Sequence, residues 1–336
     1  MLVFLESFLK KTVIFFIALF ALFGVVGVLT EARVTLVKIS VEFFVAAVVF
    51  YLVSLFLWII AWAYLVKKHT PVSFFSLLAI GWASIYGSLT PIQLGSDALR
   101  SIKLRELVVH KMSYSKAVAP SLIVKGIKFS FIAIITSIVF FLFLFNTKMD
   151  SALFFGFLSG FTIVLLGAFL FLAPLKKKWG LGIAGFLYSF KKELGFFEKL
   201  GSFFEQYTLY LEKTDLKTFF IIIVLSIFSW LFEFLALQFS FFAVGIDLPL
   251  QSFLVLMILF SVLERAPFFP RGIGLVEVVG YYYLSINPLP GQFAVTVSQI
   301  GAVLIVYGVV RLVVPTVLSL ITSSFFDRFA AHSNRA

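Results

Sequence analysis

Four acids, Asp97, Glu233, Glu264 and Glu277, and six bases, Arg100, Lys125, Lys128, Arg265, Arg271 and Arg311, stand within or at the edge of long apolar stretches. A charge at the centre of a bilayer costs roughly 2.5–3.5 kcal/mol on insertion scales. Such groups persist where they pair, line a wet cavity or meet a ligand. Bases outnumber acids in this set, so pairing inside it leaves positive charge over. That surplus suits an oxyanion, phosphate above all, because a guanidinium matches two of its oxygens at once. The chemistry is recognition rather than bond-breaking. With no cysteine, and with His69, His110 and His332 all near loops, the sequence offers no thiolate or imidazole cluster for a metal. No Gly-x-x-x-x-Gly-Lys-Ser/Thr loop is present for a nucleotide. The expectation is therefore no catalytic residue, no metal and no cofactor.

Each of these residues also has a structural reading. Lys125 and Lys128 lie near the start of a long apolar run and can snorkel to the interface. Arg311 and Glu233 can form a buried pair. Glu264 and Arg265 flank one Pro/Gly segment and can pair with the other. Asp97 and Glu277 can cap the half-helices that begin after each such segment. Arg271, inside a Pro/Gly segment, is the hardest to explain structurally.

The elements that must position these groups are membrane helices. Of 336 residues 62% are apolar and 13% charged, against roughly a quarter charged in soluble proteins. Apolar runs of about 18 or more residues, long enough to cross a hydrocarbon core, recur along the chain. Candidate helices cover 13–30, 40–66, 74–90, 117–146, 151–173, 218–243, 250–265, 275–287 and 292–322. The fold expected is an all-α polytopic membrane protein of about seven to nine membrane helices, one transmembrane domain over 1–336. The run from Val13, preceded by Lys10 and Lys11, reads as a retained helix rather than a cleaved leader. The net charge of +11 reads as loops facing anionic lipid, not as a nucleic-acid surface.

Two of these stretches are interrupted. The 74–90 run is marginal in length and 275–287 too short to span alone, and both adjoin a Pro/Gly segment: Pro91 and Gly95 in the first, Pro267, Pro270, Gly272 and Gly274 in the second. Pro and Gly break helices. Broken backbone at membrane depth survives where protein or a wet cavity surrounds it. Taking both segments as re-entrant hairpins with a cytoplasmic N-terminus puts 19 Lys and Arg on the cytoplasmic side. Only Arg33, Lys38 and Lys148 fall outside. That split obeys the positive-inside rule of a multi-pass protein of the cell membrane. Letting 74–90 cross instead would put the basic loop 100–116 outside. The two hairpins then enter from opposite faces, each with Pro-x-x-x-Gly followed by an acid, the pattern of inverted repeats around a midplane site.

Over 183–217, Phe186, Phe190, Leu194, Phe197, Leu200, Phe204, Tyr207 and Leu211 step by three and four, with charges mostly between them. This reads as an amphipathic helix on the cytoplasmic interface, either a structural collar or a partner site.

At these same residues the chain resembles the transmembrane, lipid-flipping region of lysylphosphatidylglycerol synthases and a related family of integral membrane proteins. Pro91, Gly95, Asp97 and Arg100 match a Pro-Gly-x-x-Gly-Gly-Asp-x-x-Arg pattern, with Ile92 and Ser96 in place of glycines. Trp230 to Glu233 and Gly245-Ile246 match the start of the second half. Pro267 to Glu277 matches Pro-x-x-Pro-Gly-Gly-x-Gly-x-x-Glu, with Arg271 where a glycine is usual. Arg311 and Pro315 match an Arg…Pro pair. A Glu-Arg…Asp pattern of the fourth span is missing, and Lys125 and Lys128 occupy that region. Nothing in these 336 residues reads as the soluble aminoacyl-transferase domain of the synthases. The resemblance implies lipid translocation or carriage, for an anionic phospholipid, glycolipid or polyprenyl phosphate. A membrane-embedded lipid-modifying enzyme, or a scaffold subunit for a cytosolic one, are the competing classes. The partners this implies are an anionic membrane lipid, a second copy of the chain in a homodimer, and a cytosolic or membrane lipid-modifying enzyme.

Overall fold

The computed structural model describes residues 21–89, 94–108, 112–144, 151–190, 195–212, 214–264, 270–286 and 295–333, and every regular element among them is helical. Apart from the single helical turn Arg33–Leu36, the α-helices are α1 (21–29), α2 (Val41–His69), α3 (Phe74–Ala83), α4 (Leu94–Leu107), α5 (Tyr114–Leu144), α6 (Ser151–Leu172) and α7 (Lys177–Ser189). They continue with α8 (Gly195–Leu211), α9 (Leu216–Ala243), α10 (Leu250–Leu263), α11 (Leu275–Ile286), α12 (Val297–Gly308) and α13 (Val314–Ser333). Four helical stretches among the described residues are long and apolar enough to cross a membrane: Val41–His69, Tyr114–Val139, Leu216–Ala243 and Val297–Phe325. Their outer faces carry exposed Val45, Val49, Phe56, Phe220, Phe228 and Ile321. Water would not tolerate so much contiguous apolar surface, and lipid does.

The spine is the antiparallel pair α2 and α9, which touch along their whole length. At one end the Ser40 N–H donates to Ala243 O at 2.9 Å, and midway Ser54 and Ser229 hydroxyls meet at 3.1 Å. At the far end His69 lies 3.2 Å from Thr214 Oγ1, and Lys68 sits 3.8 Å from Asp215. The Thr218 hydroxyl donates to Asp215, and with Lys68 nearby holds this carboxyl below its ordinary pKa. Small hydroxyl residues let the two backbones approach, as is usual between membrane helices. A row of Phe43, Phe50, Phe239 and Phe242 covers the groove outside.

The His69 end also holds the α7–α8 hairpin. The His69 ring meets that of Tyr210 at a tilt with centroids 4.3 Å apart, Ser113 donates to Gln206 at 2.8 Å, and Tyr207 donates to Phe171 O at 2.6 Å. The sequence had suggested one amphipathic helix over 183–217; instead α7 and α8 pack face to face, and α9 starts at Leu216. The stripe read from the sequence is buried only in part, at Tyr207 and Leu211 of α8, while Phe186 of α7 is exposed, so the periodicity alone does not reveal two helices.

The interrupted stretches are two helix pairs. The pair α3–α4 starts and ends near the His69 end, at Thr70 and Ser113. The pair α10–α11 starts at the other end, close after Ala243. Their inner turns, the 3-10 segments Ile85–Leu89 and Pro270–Gly272, touch each other. Pro91, Pro267 and Arg265 lie outside the described residues, as does the first part, 13–20, of the first candidate span, 13–30.

Candidate functional site

The second inner turn is built on left-handed backbone. Arg271 (φ 50°), Gly272 (φ 67°) and Gly274 (φ 81°) all adopt it. Gly272 has a steric reason as well: a Cβ there would stand 2.6 Å from Leu263 O. Arg271 has a Cβ, and left-handed geometry costs such a residue roughly 1–2 kcal/mol. Its bonds hold it there. Arg271 Nη1 donates to Arg311 O at 2.8 Å, Arg311 Nη1 donates back to Arg271 O at 2.6 Å, and Arg271 Nη2 donates to the Tyr51 hydroxyl. The Arg311 carbonyl is open to this because its α-helical donor would be the N–H of residue 315, which is proline. The helix also widens into a π turn over Val309–Val313. The Arg…Pro spacing thus frees the acceptor that Arg271 takes. Replacing Arg271 by Gly and by Ala removes the same side chain, but only Gly removes the backbone strain. In chemical denaturation the Gly variant should be the more stable of the two by about 1 kcal/mol.

Arg311 is 1% exposed and carries the acids of this half. Its Nη2 donates to Glu277 Oε1 at 2.6 Å, and its Nη1 lies 3.5 Å from Glu264 Oε1. Tyr307 donates to the same Glu264 oxygen at 3.1 Å. Glu277 Oε2 accepts the Gly274 N–H at 2.7 Å, so this acid both caps α11 and neutralises Arg311.

The first inner turn is tied to the last helix. Ser319 Oγ donates to Trp82 O at 2.7 Å and accepts the Tyr86 N–H at 3.0 Å. A Cβ on Gly87 would stand 2.6 Å from the Gly95 carbonyl carbon, so the turn and the start of α4 meet backbone to backbone. On α4, Asp97 accepts from Lys125, and Arg100 donates Nε to Ser84 Oγ at 2.9 Å. The Arg100 guanidinium stacks 4.0 Å from the Trp58 ring and 5.5 Å from Trp62.

Beside Arg271 of the second turn, among α2, α5, α9 and the end of α10, lies a cavity of about 60 Å³. A water needs on the order of 10–15 Å³ of such space, so the cavity holds a few waters or one small polar group. Its charged walls are Lys125, Lys128, Glu233, Glu264 and Arg271, three bases against two acids. Leu55, Trp58 and Phe129 form the apolar remainder. Lys128 donates to Glu233 at 2.6 Å.

The structure thus brings together most of the residues singled out in the sequence, with different partners. Lys125 and Lys128 are each 8% exposed and pair inward with Asp97 and Glu233; they do not run out to an interface. Arg311 pairs with Glu277 and Glu264 rather than with Glu233. Glu264 accepts from Tyr307 and faces Arg311. Asp97, Arg100, Glu277 and Arg311 stand behind the cavity wall. Tyr51, Trp58 and Tyr307 escaped notice in the sequence. They are aromatic residues in apolar runs, and among 46 Phe, 11 Tyr and 5 Trp nothing marks them out.

A family model described as "Lysylphosphatidylglycerol synthase TM region" matches residues 4–319 of the chain. Neither the curated proteins nor the solved structures provide a match.

Proposed function

Because the chain belongs to the lysylphosphatidylglycerol synthase TM region family, we propose that this multi-pass membrane protein is a translocase or carrier for an anionic lipid. The observation that carries this reading is the cavity with surplus positive charge, lined in part by Arg271 of the second helix break. A lipid head group crosses a bilayer slowly because its charge must leave water. Lys125, Lys128 and Arg271 substitute fixed positive charge for that water, and Glu233 and Glu264 keep the empty site from being strongly repulsive. An intact head group is larger than the cavity, so passage requires the breaks to part. In this reading α3–α4 and α10–α11 are re-entrant hairpins entering from opposite faces of the cell membrane, related as inverted repeats. The N-terminus is cytoplasmic, and the α7–α8 hairpin lies on the cytoplasmic interface, with Lys176, Lys177, Lys178 and Trp179 exposed towards anionic lipid or a lipid-modifying partner.

The chain has no cysteine, so single cysteines report topology on a clean background. A cysteine in place of exposed Glu106, at the end of α4, should label from the cytoplasmic side, and one in place of Leu250, at the start of α10, from outside. Labelling of both from one face overturns the opposed-hairpin topology. Activity is read in reconstituted vesicles as leaflet exchange of a labelled anionic lipid. The protein should accelerate exchange, and Lys128→Gln should slow it about tenfold, the value of one charge-assisted contact. If no anionic lipid exchanges faster, yet a modified lipid forms when a soluble donor is supplied, the chain is an enzyme instead.

A further inference from the structure

Arg100 is 0% exposed, and neither terminal nitrogen, Nη1 or Nη2, has a hydrogen-bond partner. Leaving a buried cation's N–H groups without an acceptor is among the costlier arrangements a fold can hold. The guanidinium is nevertheless fixed firmly. Ser84 accepts its Nε–H, and Trp58 stacks on its face at 4.0 Å. What remains free is its end-on edge, two parallel NH2 groups spaced to meet two oxygens of a phosphate.

The surroundings have the same bias. Trp62 Nε1, on the ring beside Arg100, is a second buried donor without an acceptor. Asp97 spends one carboxylate oxygen on Lys125, which lines the cavity, and its other oxygen, Oδ1, is buried and unpartnered. Asp97 and Arg100, three apart on α4, share a helix face. Trp58 is the link to the cavity: its ring both stacks on Arg100 and forms part of the cavity wall.

We infer that Arg100 is a second oxyanion subsite, behind Trp58, taking a phosphate-type group whose own hydroxyl or protonated oxygen is received by Asp97 Oδ1. Two acceptors for Arg100 and one donor for Asp97 describe either a monoprotonated phosphate or a phosphodiester head group carrying a hydroxyl. This deepens the anionic-lipid reading, on which only its lipid arm rests.

The test uses full-length protein in phosphatidylcholine nanodiscs, which carry no net charge. Binding of inorganic phosphate and of a short-chain phosphatidylglycerol is followed separately by tryptophan fluorescence and calorimetry. Arg100→Lys keeps the charge but offers a point donor, and it should weaken binding at least tenfold. Ser84→Ala leaves the guanidinium in place but frees its orientation; it should weaken binding about threefold, and it decides the matter if Arg100→Lys fails to fold. Displacement of the lipid by phosphate assigns the site to the bare oxyanion. Loss of lipid binding alone assigns it to the head group. Unchanged affinities for both probes in both variants, or a wild-type protein that binds neither, overturn the subsite. Wild-type protein that exchanges lipid, with Arg100→Lys binding as tightly, removes the subsite and leaves the translocase. Wild-type protein that binds but does not exchange lipid does the reverse.

Discussion

Arg311→Met should lower the free energy of unfolding in detergent by about 3–5 kcal/mol, the range for removing one partner of a buried ion pair. Methionine fills much of the same volume, so the loss is electrostatic rather than a cavity. Glu277, 3% exposed, then has no guanidinium beside it, and Glu264 keeps Tyr307 but loses its cation. Arg271 also loses the donor to its carbonyl oxygen, in a backbone conformation that needs support. Adding Glu277→Gln to Arg311→Met should recover part of the loss, because the uncompensated carboxylate goes while the cap to Gly274 N–H keeps an acceptor. A single-variant loss below about 1 kcal/mol would mean that Arg311 is wet and screened, as a surface pair would be.

The second large effect is steric. Gly87→Val forces a branched side chain against the Gly95 backbone and the Leu99 side chain, each within 2.7 Å of where its Cβ would stand. Overpacking a tight site costs typically 1–3 kcal/mol, and backbone cannot step aside as a flexible side chain can. We expect about 3 kcal/mol of destabilisation, read by thermal unfolding. Lipid exchange should fall more than the stability loss alone explains. The displaced turn carries Tyr86, whose N–H is held by Ser319, and it follows Ser84, which orients Arg100. Gly87→Ala should show the same pattern at smaller amplitude. Wild-type stability in Gly87→Val would mean that the turn and α4 are further apart than described.

The helical membrane class was legible in the sequence because apolar run length is a local property. The interruptions were legible only roughly: α3 ends at Ala83, short of the 74–90 run, and Pro91 and Pro267 lie outside the described residues. Pairing was not legible, because it depends on which helices become neighbours. Lys125 and Lys128 are three residues apart on one helix face, yet their partners lie on different helices, Asp97 on α4 and Glu233 on α9. Nothing in the one-dimensional pattern assigns one acid to each base. Excess positive charge was likewise visible as a difference in number, but its location was not. Among the described residues, Arg100 and Arg271 are the bases of the site without a carboxylate partner, and both are held by neutral groups, tryptophan rings or a serine in one case, a carbonyl and a tyrosine in the other. Arg271 attracted attention because of its setting among prolines and glycines. Tyr51 and Trp58 could not, since an aromatic residue in an apolar helix looks the same whether it fills a core or faces a charge.

The π turn at Val309–Val313 amounts to one extra residue in an otherwise continuous helix. One residue is about 100° of rotation, so everything beyond the turn is out of phase with everything before it. Arg311, in the turn, grips the second break, while Ser319, after it, grips the first, roughly 12 Å further along the axis by helical rise. The last helix is therefore a gauge block whose two contacts fix the spacing and relative angle of the breaks. Insertions or deletions before 311 or after 319 leave that setting alone. A single residue gained or lost between them turns Ser319 away from Trp82 and Tyr86, and the two halves of the site would then be indexed to different faces of the same rod.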